Sequence, residues 1–363
     1  MSHQLHDYHY DLPESYIAQT PHDPADECCL MVRSDDHISH HRFIDIVELI
    51  DPETVVILNN TKVIKARIPL VSWTLTNTLG HSKILDDGEI FFLTMQSEKT
   101  FGCLVRPGKK LSPGVRLSYE DCDIEIGDLT DTGRMAKILS HQSIWEILEQ
   151  YGQMPLPPYI SYDESKVDDY QTHRANQPGS VAAPTASLHI TPRVLQGLRD
   201  KWVIVEYITL HVGLGTFKWI DTEDIRDYDI HPETVQVDIA LYERITTYKR
   251  QGKKVLCVGT TATRALESLH YLYDQDHPNS QIISSVITST TTIQFATKLY
   301  LTPGCTLHLV DEMITNFHLP QSSLMVLVAT MMGYETLMQC YHTAISQGYR
   351  FYSFGDAMWI RSS

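Results

Sequence analysis

Histidine, glycine, threonine and arginine recur together at a few points of this 363-residue chain, and at those points chemistry is possible. Thr209-Leu-His-Val-Gly-Leu-Gly-Thr-Phe217 sets an imidazole, a hydroxyl and an aromatic face around Gly213 and Gly215, where missing side chains let a ligand approach the backbone. Gly259-Thr-Thr-Ala-Thr-Arg264 offers amides, hydroxyls and a guanidinium to an anion, although it lacks the Gly-Lys-Ser/Thr of a Walker loop. Ile230-His-Pro-Glu233 brings a carboxylate, Asn316-Phe-His318 an amide and an imidazole, and Asn59-Asn-Thr-Lys62 two amides, a hydroxyl and a cation. Each of these also reads as an ordinary turn with a satisfied polar side chain. Together they make five polar turns, 59–62, 211–217, 231–233, 259–264 and 315–318, and convergence on one rim would form a pocket.

Apolar runs must position these turns. Thr54–Leu58, Trp202–Leu210 and Lys253–Val258 read as buried strands, and a strand, a small-residue turn and then a helix over Ala265–Tyr273 aims backbone amides at a ligand. Thr191-Pro192 opens a helix to Asp200, and Leu241–Gln251 is a second. Helical spacing is expected over His41–Ile50, strands at Thr297–Leu301, Thr306–Val310 and Tyr349–Met358, and two helices near Ser322–Met332 and Glu335–Ser346. Between Ile68 and Leu139 the texture changes to short alternating runs (Glu89–Met95, Thr100–Arg106, Val115–Tyr119, Met135–Leu139) with turn signals every dozen residues, the pattern of a small β-barrel or sandwich. The expected architecture is therefore α/β: a large, irregular barrel-like α/β domain from 1–62 and 153–363, interrupted by an inserted β-barrel domain at 63–152. Residues 170–189 lack periodicity but carry small apolar residues, as an ordered functional loop would.

The formal net charge of −16 excludes a protein that coats nucleic acid by bulk electrostatics, while leaving room for a local basic patch. Seven cysteines without a Cys-x-x-Cys pair suggest neither a zinc ribbon nor a disulfide framework. His37, His40 and His41 beside Cys28 and Cys29 lack zinc-finger spacing. No apolar run is long enough to cross a bilayer and the polar start is not a signal peptide, so a cytoplasmic protein is expected.

The segments Tyr170–Thr172, Gly179–Leu188, Thr209–Phe217, Val258–Ser268, Ile314–Ser322 and Tyr349–Met358 closely resemble the S-adenosylmethionine:tRNA ribosyltransferase-isomerase family of queuosine biosynthesis, and Tyr10–Gln19 and Met154–Ile160 match it too. The resemblance runs in order over nearly the full length. It implies transfer and isomerisation of the ribosyl part of S-adenosylmethionine onto 7-aminomethyl-7-deazaguanine at the tRNA wobble position, giving epoxyqueuosine, adenine and methionine. It implies no metal or prosthetic group, with S-adenosylmethionine as co-substrate, and a monomer acting on tRNA. The chain departs from the family pattern where Asn59-Asn60-Thr61-Lys62 replaces Asn-Asp-Thr-Arg, Ser187 replaces Gly and Ile190 replaces Phe, changes that bear on affinity more than on reaction class.

Under this resemblance the reaction needs a base near the ribosyl 5′ carbon, a task for neutral His211 with His189 as the alternative. Gly213, Gly215, Thr216, Phe217, Thr260, Thr261 and Arg264 are expected to hold S-adenosylmethionine, the last three through its carboxylate or else a tRNA phosphate. Phe217, Phe317 and Tyr159 are available to stack on adenine. Glu233 and Asp356 offer carboxylates to the aminomethyl cation, and Asn316 and His318 hydrogen bonds to the base or ribose. Lys62, Lys65, Arg67, Arg106, Lys109 and Lys110 are the expected tRNA phosphate contacts. The rival readings are an S-adenosylmethionine-binding paralogue with another acceptor and a non-catalytic RNA-binding module.

Overall fold

The computed structural model describes residues 2–34, 37–161, 163, 166–213, 219–274 and 281–361. The chain divides into two compact units, Met1–Lys62 with Leu156–Ser363, and Val63–Pro155.

The first unit is built on a ten-stranded mixed sheet. Its centre is Thr54–Asn59, every residue buried, with Ile204–His211 and Lys254–Val258 parallel on either side and Glu312–Asn316 parallel beyond the latter. Strands buried on both faces read as continuous apolar runs, which is why the central ones are legible in the sequence. Ala357–Arg361 pairs antiparallel with Glu312–Asn316, followed by Cys29–Ser34 and His37–Arg42. On the opposite flank Glu233–Asp238, Thr292–Thr297 and Ile283–Thr288 continue the sheet antiparallel. The strand order ends at Ile283–Thr288 on one side and His37–Arg42 on the other, so among the described residues this mixed α/β sheet is open.

Helices cover both faces. Pro192–Asp200, capped by the Thr191 hydroxyl with proline at its start, packs Val194, Leu195 and Leu198 against Val56, Leu58 and Trp359. Thr260–Tyr273 buries Ala262, Ala265, Leu266 and Leu269 against Val55, Ile57 and Ile208. Burial of an aliphatic side chain of this size contributes about 1.5–3 kcal/mol. Ser323–Met332 and Tyr334–Ser346 close a third cluster around Phe317, Tyr341 and Phe351.

Four segments differ from the sequence expectation. Residues 41–50 are not one helix: His41 and Arg42 end the antiparallel strand His37–Arg42, and only Ile46–Leu49 is α-helical. The strand in the 290s lies earlier, at Thr292–Thr297, where it pairs with Glu233–Asp238, an element whose period-two burial was overlooked. Residues 306–310 form no strand, because the buried carboxylate of Glu267 takes the amides of His308, Leu309 and Val310 at 2.9, 2.8 and 2.8 Å in place of a neighbouring backbone. Likewise the strand near the C-terminus begins only at Ala357, since the Asp356 carboxylate accepts from the amides of Arg350 and Cys29 and folds 350–356 back on itself.

The second unit is an eight-stranded antiparallel sheet followed by the helix Ile144–Tyr151. Its strand order runs from Arg67–Pro69 through Glu89–Ser97, Thr100–Arg106, Gly133–Ile138, Cys122–Thr130 and Arg116–Tyr119 to Thr74–Thr76, with Ser82–Ile84 outermost. The helix opens with a capping box in which Ser143 and Glu146 satisfy each other's amides.

Candidate functional site

The parallel strands of the main sheet end on one rim, and loops carry the polar residues there, the usual position for a ligand in an open α/β sheet. A cavity of about 700 Å³, measured to its open mouth, lies at this rim. Its lining comes from four places in the chain: 182–186, 259–261, 315–319 and 352–353, with Tyr159, Tyr170 and Val212. A second cavity of about 510 Å³ shares Thr260, Thr261 and Leu324 with the first and is otherwise lined by His231, Glu233, Arg264, Tyr300, Ser323 and apolar neighbours.

Thr260 and Thr261 owe their position to Gly259. This residue follows the strand Lys254–Val258, adopts φ +96°, donates to Ile314 O at 2.7 Å and turns the chain into Thr260–Tyr273. The first amides of that helix have no intrahelical partner, and no side chain caps it. One turn on, Arg264 is 8 % exposed; its Nη1 meets Glu233 Oε2 at 2.5 Å and its Nη2 donates to His231 O and Thr297 O. Burial pulls this guanidinium below its ordinary value while Glu233 sustains its charge. Glu233 Oε1 also accepts from Gly213 N at 3.1 Å, so the carboxylate holds the first glycine of the 211–217 turn.

Asn316 and His318 stand at the end of Glu312–Asn316 and line the first cavity. Asn316 Oδ1 accepts from Thr185 at 2.8 Å, and its Nδ2 faces His189 Nε2 at 3.3 Å. His318 is held by Thr315, whose hydroxyl meets Nε2 at 2.7 Å, while its amide donates to the Tyr341 hydroxyl and Tyr10 donates to its carbonyl. Burial lowers His318 to about 3, so it is neutral at physiological pH.

The remaining expected residues fall into three groups. His211 is close to the rim but does not line the cavity; its Nδ1 meets the Thr61 hydroxyl at 2.8 Å, burial lowers its pKa, and the adjoining Val212 does line it. His189 is buried, with Nδ1 against Ala25 O and Cys28 Sγ, and burial pushes it down to about 4, which makes it the orienting partner of Asn316. Asp356 is 1 % exposed and occupied by Cys29 N, Arg350 N and His22 Nε2, so its carboxylate ties the backbone together instead of facing the cavity. Gly215, Thr216 and Phe217 lie outside the described residues. Among the cations, Lys62, Lys109 and Lys110 are exposed, whereas Lys65 pairs with Glu149, and Arg67 and Arg106 both reach Glu89.

Sequence reasoning missed Thr61, Thr185 and Thr315, the hydroxyls that fix His211, Asn316 and His318, and it missed Tyr300. The one signal available was that Thr61 and Thr315 belong to turns already singled out, two residues after Asn59 in one and three residues before His318 in the other. No group of three or more His, Cys, Asp or Glu among the described residues is arranged to hold a metal.

A solvent-open, mostly apolar cavity with convergent neutral hydrogen-bonding groups at the ends of parallel strands defines an α/β protein that binds a small organic ligand. The family model described as queuosine biosynthesis protein matches residues 5–360, and the chain belongs to that family. Curated relatives named S-adenosylmethionine:tRNA ribosyltransferase-isomerase include one from Acaryochloris marina, 38 % identical over 98 % of this chain and 93 % of its own length. Another, from Desulfitobacterium hafniense, is 38 % identical over 98 % of this chain and 99 % of its own. The crystal structure of an S-adenosylmethionine tRNA ribosyltransferase from Thermotoga maritima is similar with a TM-score of 0.52 at 28 % identity, covering 98 % of this chain and 99 % of that one.

Proposed function

We propose that this protein is an S-adenosylmethionine:tRNA ribosyltransferase-isomerase of queuosine biosynthesis. It takes the ribosyl moiety of S-adenosylmethionine and places it, isomerised, on 7-aminomethyl-7-deazaguanine at the tRNA wobble position, releasing adenine and methionine. The observation that carries this reading is full-length membership of the family, joined to a cavity lined by the same segments that bear the resemblance, 182–186, 259–261 and 315–319. S-adenosylmethionine is a co-substrate, with no prosthetic group. The decisive experiment incubates the protein with S-adenosylmethionine and tRNA containing the deazaguanine precursor and follows free adenine and methionine. A non-catalytic module would release neither, and a paralogue with another acceptor would be indifferent to the tRNA.

For the proton removed beside the sulfonium we assign His211, a neutral imidazole with one nitrogen held by Thr61. A second assignment, His318, is favoured by its place in the cavity lining. Exchange of the 5′ hydrogen with solvent decides between them: it stops in His211→Ala under the first and in His318→Ala under the second. Asn316 serves the acceptor base, and Lys62, Lys109 and Lys110 are the cations most available to tRNA phosphates.

We read Val63–Pro155 as an inserted β-barrel. In support, Arg67–Pro69 at one end of its strand order and Thr74–Thr76, last but one at the other, are consecutive in the chain and joined through Leu70–Trp73, which draws the two ends of the sheet towards each other. The cytoplasm, where tRNA is modified, is the proposed compartment, and one chain supplies the whole cavity, so the proposed acting unit is a monomer.

A further inference from the structure

The two cavities at the rim meet at Thr260 and Thr261 but differ in charge. Among the described residues, no Asp, Glu, Lys or Arg lines the first. Its lining includes rings and small residues: Tyr159 and Tyr352, with centroids 4.9 Å apart, and Ala182, Ala183 and Ala186. The buried hydroxyl of Tyr170 faces Ser353 and Ala183 without reaching a hydrogen bond of normal geometry. The second chamber carries the Glu233–Arg264 pair. Arg264 Nε is buried without a partner among the described residues, and the open N-terminus of Thr260–Tyr273 adds unpaired amides at the seam.

We propose that S-adenosylmethionine lies across both chambers, adenine in the neutral aromatic one, the amino-acid tail in the charged one, and the sulfonium at Thr260 and Thr261. This orientation rests on the proposed reaction and adds to it the subsite for each half of the donor. A planar, uncharged heterocycle gains from ring faces and loses little on leaving water for an uncharged wall, provided its edge finds a hydroxyl. A zwitterionic tail is favoured where opposite charges are already fixed in place, and its carboxylate meets both helix amides and Arg264 Nε. The reverse orientation would strand a carboxylate among tyrosines and alanines and leave Arg264 Nε unused. It follows that the leaving adenine departs into the chamber that Asn316 and His318 line, next to the groups assigned to the acceptor base.

The test is photolabelling of the intact protein with the 8-azidoadenine analogue of S-adenosylmethionine, followed by peptide mapping. Label is expected on Ala182–Ala186 or on Tyr352 and Ser353. Label on Leu299–Leu301, or anywhere else outside the neutral chamber, overturns the orientation. Product inhibition gives an independent reading. Ala183→Leu, which fills the neutral chamber, should weaken inhibition by adenine about tenfold or more and leave methionine unchanged, while Tyr300→Phe and Arg264→Lys should do the opposite. A reversed pattern, or equal change for both products, sinks the proposal. Adenine release by the unmodified enzyme reports the reaction separately, so the orientation can fail while the reaction stands.

Discussion

The backbone of Gly179 lies against the face of the His211 ring: a Cβ built there would sit 2.9 Å from Cε1 and 3.0 Å from both ring nitrogens. Gly179 also has φ +148°, which side-chain-bearing residues rarely adopt. Gly179→Ala therefore has to displace the imidazole from the Thr61 hydroxyl and strain the backbone, at a cost of about 1–3 kcal/mol. Denaturant unfolding should show that loss, and adenine release should fall with it. Unchanged stability and turnover would mean that His211 does not depend on this contact.

Glu233 and Arg264 should be far less tolerant of single truncation than of joint replacement. Removing the carboxylate leaves a buried guanidinium uncompensated and frees Gly213 N, so Glu233→Ala should cost about 3–5 kcal/mol. Replacing both partners by apolar residues of similar volume should cost less than either change alone. A double-mutant cycle by chemical unfolding measures the coupling, and strict additivity would count against a cooperating pair.

Acid should destabilise this protein through its buried histidines. In the unfolded chain His189 and His318 take up protons near pH 6.5, whereas burial holds them neutral in the folded protein down to about 4 and about 3. Their contribution is therefore complete above the unfolded value and is lost as the pH falls from 6.5 through 4 towards 3. Unfolding free energy measured across that window should decline, with proton uptake on unfolding, and His189→Gln should flatten the decline. Equal slopes in wild type and variant would exclude His189 as a source.

At Asn60 the departure from the family's carboxylate should be silent. Its Oδ1 accepts from the Thr209 hydroxyl at 2.7 Å, a bond that an aspartate would accept equally well. Asn60→Asp is expected to leave stability within about 0.5 kcal/mol and the KM for S-adenosylmethionine unchanged. A large gain in affinity would show that the missing carboxylate touches substrate.

Lys109 and Lys110 are exposed, and so is Arg106, but Arg106 and Arg67 share Glu89. Neutralising both lysines should weaken tRNA binding and reduce the slope of log affinity against log salt by about two, without altering turnover at saturating tRNA. An unaltered slope would remove them from the interface.

Much of the frame was legible because its causes are local. Continuous apolar runs marked Thr54–Asn59 and Lys254–Val258, and the Thr191-Pro192 pair marked the start of a helix. The polar turns at 259–261 and 315–318 were visible for the same reason, as small and polar residues at the ends of buried strands. Long-range partners were not legible. Nothing in the spacing of Glu233 and Arg264 announces that each neutralises the other, that Glu267 replaces a strand neighbour for 308–310, or that Asp356 is taken by the distant amide of Cys29 as well as the nearby one of Arg350. Sequence determined which side chains can do chemistry, because residue type and backbone propensity are properties of neighbours along the chain. Tertiary structure decided which of them remain free to do it, because hydrogen-bond capacity and charge are spent on whatever the fold brings within about 3 Å.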